Sequence, residues 1–372
     1  MLLNSKASVV NYNYKPIFYK PGIQGQGQRL KDLLREKPQL QIYDTFESQV
    51  KELIKIENPG KQLSPAELQQ LVQEYFDGKN SDELGVWVYY PWADKVVHLL
   101  DEEDFIKVRT NRNIYKITPE ELTVLRQKRV GIIGLSVGQA IALSIATERI
   151  CSEMHLADFD NIELNNMNRL SNTNVFDIGM PKVVVTARRI AELDPFITVT
   201  CFTEGITETN MDTFLGTGNS KLDVLIEECD GINIKILSRI KAKQKGIPVV
   251  MDFNDKGMLD VERFDLEPDR PILHGRLQDL EALGEEALIQ LLKKLTFEQR
   301  VQYLAQMIGM ENTTAEMRRS LPEMGKTITG WPQIASAIFL GGAMVTDTCR
   351  RILLGKFTAS GRYFVHFDDL IN

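Results

Sequence analysis

A short apolar strand, Val130-Gly131-Ile132-Ile133, runs into the turn Gly134-Leu135-Ser136-Val137-Gly138 and then into an apolar helix. A strand without polar alternation is buried on both faces, which requires helices above and below its sheet. The same punctuation recurs. The pattern predicts strands over 129–133, 153–157, 197–203, 224–227 and 248–253, separated by helices over 136–150, 182–193 and 232–245. Repeated β-α-β units give a parallel sheet with right-handed crossovers. The fold class is therefore α/β, with a doubly wound, mostly parallel sheet.

The flanking segments read differently. Residues 1–104 form an α+β extension. Within it Ser64-Pro65-Ala66-Glu67 opens a helix that reaches Phe76, residues 85–91 and 95–100 suit strands, and the glycines of 22–28 suit a loop. Residues 105–277 hold the nucleotide-binding module. Residues 278–325 are a charged helical insertion, and 326–372 return as a long apolar helix over 332–354, stopped at Gly355, with a strand over 363–367. At 372 residues there is length for more than one core.

A net charge of −7 argues against a general nucleic-acid or anionic-membrane surface. No apolar run approaches the ~20 residues that span a bilayer. Met1 to Lys6 lacks the charged-then-apolar pattern of a leader, so a cytoplasmic location is expected. Cys151, Cys201, Cys229 and Cys349 form no Cys-x-x-Cys pair, and His98, His155, His274 and His366 have no metal spacing. Packing or surface roles are expected for each of them.

A strand, a tight turn and a helix N-terminus make an anion site from free N–H groups and the helix dipole. Against G-x-G-x-x-G, however, only Gly134 fits without a shift; Ser136 and Gln139 occupy the other positions and Gly138 falls one place early. The turn alone is equally consistent with packing. Asp158 and Asp160 follow the next strand, where an acid binds ribose hydroxyls or caps a loop. Asn161 to Arg169 is dense in amides, with Asn166 and Arg169 inside it, and Lys182 follows Pro181. Singly, such charges are solvated surface groups; after the acid they suit a triphosphate. Asp230 ends a strand, where one carboxylate is well placed to hold Mg²⁺ with phosphate oxygens.

This constellation resembles the ThiF/MoeB/HesA adenylating enzymes, relatives of the ubiquitin-activating enzymes, over about residues 105–260 and again over 332–354. The resemblance implies a Rossmann-like fold that binds ATP and Mg²⁺. It implies that Gly134, Ser136 and Gly138 belong to the nucleotide loop and that Asp158 binds ribose, with Asp160 beside it. Asn166, Arg169 and Lys182 then contact phosphate, and Asp230 holds the metal. Arg112, in Arg109-Thr110-Asn111-Arg112-Asn113, matches an arginine that the family donates across a dimer, which implies a homodimer with Arg112 acting in trans. The implied reaction is attack of an acceptor carboxylate on the α-phosphate of ATP, giving an acyl-adenylate and pyrophosphate. The acceptor is the C-terminus of a ubiquitin-like protein, a peptide or a small acid. Neither a nucleic acid nor a membrane is an expected partner.

The family's four-cysteine zinc site is absent. No cysteine follows the strand over 248–253, so thioester transfer is in doubt, and Cys229 reads as a small strand-end residue. Two other readings stay open. One is a catalytically silent nucleotide-binding scaffold, suggested by the altered loop. The other is an NAD- or FAD-binding oxidoreductase, which leaves Arg169, Lys182 and Asp230 without a role.

Overall fold

The computed structural model describes residues 11–371. Met1 to Lys6, read above for a leader, lie outside the described residues. The chain forms two compact units, Met1–Pro119 and Glu120–Asn372.

The first unit holds four strands: β1 (Ile17–Tyr19), β2 (Gln41–Asp44), β3 (Val86–Tyr90) and β4 (Lys95–Leu99). Their order is β1-β3-β4-β2, with β3 and β4 antiparallel and β2 parallel to β4. β3 is buried at every position, which is why its aromatic run is legible in the sequence. β1 and β2 are short, mostly exposed edges that carry no burial pattern to read. His98 is fully buried between the rings of Phe46 and Trp87, at centroid distances of 4.3 and 4.1 Å. Its ring nitrogens meet Asp44 Oδ1 and the Leu84 carbonyl, so it is a packing residue. Helix Glu102–Thr110 buries Ile106, and its Phe105 and Val108 pack on the core around Phe46 and Val50. That packing carries this unit past residue 104 to Pro119.

The second unit holds β5 (Arg129–Ile133), β6 (Glu153–Ala157), β7 (Thr198–Phe202), β8 (Val224–Glu227), β9 (Val249–Phe253), β10 (Met258–Glu262) and β11 (Gly361–Phe364). The order is β11-β10-β9-β8-β5-β6-β7. The five strands from β9 to β7 are parallel; β10 and β11 add on antiparallel. The chain winds outward from β5 to β6 and β7, then returns to β8 and winds the other way. The switch point therefore lies between β5 and β8, where ligands bind in open α/β sheets. Helices Gly138–Glu148, Lys182–Leu193 and Ala335–Leu353 pack together. Helix Ile232–Gln244 packs instead with helices Glu285–Lys294 and Phe297–Ile308, around Phe214, Ile236, Leu288, Leu292 and Met307. The sheet is Rossmann-like and doubly wound, as its sequence pattern requires.

Some details differ from the sequence reading, among them the long C-terminal helix, expected over 332–354, which spans Ala335–Leu353. The helix expected from Ser136 starts at Gly138, because Leu135 to Val137 are still in the turn. The last strand ends at Phe364, and Phe367–Leu370 is a helical turn. β10 carries no legible strand signal because Asp260 and Glu262 interrupt its apolar run. Both are buried and paired, Asp260 with His274 and Arg362, Glu262 with Arg239.

Helix Pro65–Phe76 opens with a capping box: Glu67 N–H donates to Ser64 Oγ at 3.3 Å, and Ser64 N–H donates to Glu67 Oε2 at 2.8 Å. Ser64→Ala removes one acceptor and should lower the stability of the first unit by about 1 kcal/mol, measured by denaturant unfolding followed through Trp87 and Trp92 fluorescence. An unchanged midpoint would show that water replaces the cap.

Candidate active site

Gly134 leaves β5 with φ +87°, in the left-handed region. A Cβ there would lie 2.7 Å from the Glu228 carbonyl and 2.8 Å from Cys229 N. At Gly138 a Cβ would lie 2.7 Å from Ile132 Cγ2. Both glycines are thus demanded by packing within the protein. Gln139 is fully buried, and its Nε2 donates to Thr173 Oγ1 (3.3 Å) and Thr186 Oγ1 (3.4 Å). It points into the fold and ties two helices together.

The acids after β6 build the other side of the turn. Asp158 is 8% exposed. Its Oδ2 accepts the Leu135 N–H at 2.7 Å and its Oδ1 the Asp160 N–H at 2.8 Å. Burial raises its pKa, opposed by Lys182 and those two N–H groups. Lys182 is 3% exposed. Its Nζ donates to Asp160 Oδ2 (2.8 Å) and Ser136 Oγ (3.1 Å). One ammonium therefore links the turn after β5 to the acid after β6, while Asp160 stays half exposed. Ser136, Lys182, Asp160 and Asp158 form one bonded chain at the carboxyl ends of the strands, beside the turn that Gly134 opens.

Asn166 is buried in a capping turn; its Oδ1 accepts the Glu163 N–H at 3.0 Å and its Nδ2 donates to Asn165 Oδ1. Arg169 Nη1 donates to the Asn165 carbonyl (3.1 Å) and Asn168 Oδ1 (2.9 Å). Its Nε is buried without a partner. Burial lowers its pKa, and the Asp230 carboxylate opposes that shift, so the two face each other electrostatically. Asp230 is exposed on the turn between β8 and helix Ile232–Gln244. Arg112 lies in the first unit, exposed on the turn Asn111–Asn113.

Residues 109–252 match the model of the ThiF family. The chain carries a ThiF-family domain. It is 40% identical over 331 residues to the uncharacterized protein MT1398 of Mycobacterium tuberculosis (strain CDC 1551 / Oshkosh), an alignment covering 89% of this chain and 42% of that protein. It is 27% identical over 157 residues to the tRNA threonylcarbamoyladenosine dehydratase of Bacillus subtilis (strain 168), covering 42% of this chain and 60% of the relative. The chain thus spans less than two thirds of the length of either relative. Among solved structures, PaaA superposes with a TM-score of 0.51 at 18% identity, covering 73% of this chain and 82% of that one, a likeness of fold.

The second unit also holds residues that the sequence reading missed. A narrow cleft with an accessible volume of about 80 Å³ opens beside Asp230, lined by Glu228 and Asp252 and by apolar side chains that include Met307, Ile308 and Trp331. Glu228 Oε1 accepts the Asp252 N–H at 2.8 Å. Burial pushes the Asp252 carboxyl up to about 8. Burial and the nearby Asp252 charge push Glu228 up as well. The only sequence signal for this floor is two acids at the ends of apolar strands. Glu227 does the opposite: Lys235 and Arg239 outweigh its burial and hold it at about 2. Burial and Glu227 push the Cys229 thiol well up, so it is protonated at neutral pH and unsuited to nucleophilic work. That agrees with a packing role. Among the described residues no cluster of three or more metal-ligating side chains occurs, and no helix is long and apolar enough to cross a membrane.

The raised Asp252 pKa has a stability consequence. The folded state holds this proton more tightly than the unfolded chain, so its contribution is fully present below about pH 4 and is lost as pH rises toward 8. Asp252→Asn deletes that titration. Between pH 5 and 8 the stability of the variant relative to wild type should shift in its favour by up to a few kcal/mol, read from denaturant midpoints across pH. A constant difference would mean that Asp252 is ionised throughout.

Proposed function

We propose that this chain is an ATP-dependent carboxylate-activating enzyme. The observation that carries the reading is Arg169, whose Nε is buried without a partner and which faces Asp230 at the switch point. A half-buried guanidinium whose Nε donor is unmet suits an anion. Lys182, enclosed against Ser136, sets a second cation at the same strand ends. The turn between β5 and helix Gly138–Glu148 adds that helix's N-terminal N–H groups. These groups fit the phosphates of ATP, and the half-exposed Asp160 beside Asp158 fits a ribose hydroxyl. Asp230 is the residue that would hold Mg²⁺, which takes one or two carboxylates and otherwise phosphate oxygens and water. When bound, that ion neutralises phosphate charge.

The chemistry asks little of the protein beyond position and charge. An acceptor carboxylate oxygen attacks the α-phosphorus and the bond to pyrophosphate breaks. Arg169 and Lys182 stabilise the charge that develops, and no protein nucleophile enters. The acceptor is the C-terminus of a peptide or of a ubiquitin-like protein. The enzyme acts as a homodimer in the cytoplasm, Arg112 completing the partner's site.

Two outcomes test this. Calorimetric Mg·ATP affinity should fall about 10- to 100-fold in Arg169→Ala and in Asp230→Ala, the cost of a lost charge-assisted contact, while NADH gives no heat. NADH binding without Mg·ATP binding would return the reading to an oxidoreductase; Mg·ATP binding without pyrophosphate exchange across a panel of acids would favour the silent scaffold. For the dimer, Arg112→Ala and Asp230→Ala should each be inactive in exchange. Mixed after co-refolding, they should recover about a quarter of wild-type activity, since half of the dimers then hold one intact site. No recovery in the mixture would place Arg112 in its own chain's site or outside any site.

A further inference from the structure

The cleft beside Asp230 contains an acceptor group that the protein itself leaves unused. Asp252 is 4% exposed, and neither of its carboxyl oxygens has a hydrogen-bond partner. Such a group is costly to bury unpaired and calls for an explanation. The fold makes room for it deliberately. A Cβ on Gly341, within helix Ala335–Leu353, would lie 1.9 Å from Asp252 Oδ2. The carboxyl therefore sits in a niche that exists because residue 341 has no side chain. Its backbone is fixed by the bond to Glu228. Asn254, also in the lining, adds a third buried oxygen without a partner.

The surroundings define what could satisfy these atoms. Asp230 and Val137, at the nucleotide end, line the same cleft as Leu304, Met307, Ile308 and Met317 from the helices after residue 296. A ligand here has one end at the nucleotide site, an apolar body and a hydrogen-bond donor at the floor. In either protonation state the Asp252 carboxyl offers an oxygen to an N–H. A Gly-Gly tail supplies the N–H but leaves the apolar walls unfilled; a simple aliphatic acid fills the walls and leaves Asp252 unmet.

We propose that Asp252 is a specificity-determining residue for the activated acceptor, receiving the backbone N–H of a bulky, apolar C-terminal residue whose side chain fills the cleft. This deepens, and rests on, the carboxylate-activation reading. Discrimination follows from the cost of leaving Asp252 unpaired, since a site built to accept a donor rejects analogues that lack it.

The test is ATP–pyrophosphate exchange with three acids: acetyl-Ala-Phe, its ester isostere in which the Phe N–H is replaced by oxygen, and acetyl-Gly-Gly. Acetyl-Ala-Phe should be the best of the three, with the ester at least about 10-fold lower in kcat/KM. In Asp252→Leu the amide and the ester should become equivalent while Mg·ATP affinity, measured by calorimetry, is unchanged. Gly341→Ala, which fills the niche instead of removing the acid, should also erase the preference and guards against misfolding of the first variant. Equal use of all three acids, or a preference that survives in Asp252→Leu, overturns the inference. So does absence of exchange with every acid while wild type binds Mg·ATP in an Asp230-dependent way, which leaves the nucleotide reading standing. Absence of Mg·ATP binding in wild type removes that reading itself.

Discussion

The site depends on a close approach between two backbones. β5 and β8 pair in parallel, and beyond their last paired residues Gly134 lies against the Glu228–Cys229 peptide with no space for a side chain. Glu228 N–H donates to the Ile133 carbonyl at 2.8 Å, which locks the two strand ends together. From that lock, Leu135 turns its N–H to Asp158, Ser136 meets Lys182, and the chain after β8 turns so that Asp230 emerges at the rim. A side chain at residue 134 would separate the strands and displace all three. The glycine is thus primarily a packing residue. Any anion-binding property of the turn is inherited from where that packing leaves the N–H groups.

This explains why the turn is a poor sequence signal and its neighbours are good ones. G-x-G-x-x-G encodes close approach at three places, and this chain needs it at only two, Gly134 and Gly138. Gln139 is instead used internally, bonding Thr173 and Thr186. The strands and helices of the second unit were legible because burial on both faces writes continuous apolar runs. The capped helix at Ser64 was legible because its cap is local. β10 was not, since its charges are satisfied by Arg239, His274 and Arg362, partners remote in sequence. The candidate residues after β6 and β8 could be listed from their order, but their bonds could not. Asp158 spends both oxygens on backbone N–H groups, which a sequence does not announce.

Charge is distributed in two different ways around the switch point. Below the strand ends, Glu227, Arg239 and Glu262 are fully buried and mutually paired, with Lys235 joining Glu227. Such a cluster balances large desolvation costs and loses heavily if one member is removed. Its three fully buried members are compensated by one another, and Lys235 also lines the cleft. At the strand ends the pairing is incomplete: Arg169 keeps an unmet Nε, and Asp230 stands exposed. Incompletely paired charge therefore lies next to a fully compensated cluster, which is the contrast on which the proposed nucleotide site rests.

The cleft extends the same logic from charge to shape. Glu227 and Glu228 are adjacent, yet one is held ionised by Lys235 and Arg239 and the other is pushed toward its neutral form beside Asp252. The alternation of a strand sends successive side chains to opposite faces. Consecutive acids at the end of β8 therefore enter two environments, a compensated cluster and an apolar cleft. The long C-terminal helix completes the second by omitting a side chain at Gly341. The opposite wall comes from the helices after residue 296, which the sequence showed only as charged and helical. Their apolar faces pack on helix Ile232–Gln244 and border the cleft at Leu304 and Met307. Elements from three separate stretches of chain thus line one cleft. Local propensity has no access to such a convergence, which follows only once the doubly wound sheet fixes where each stretch returns.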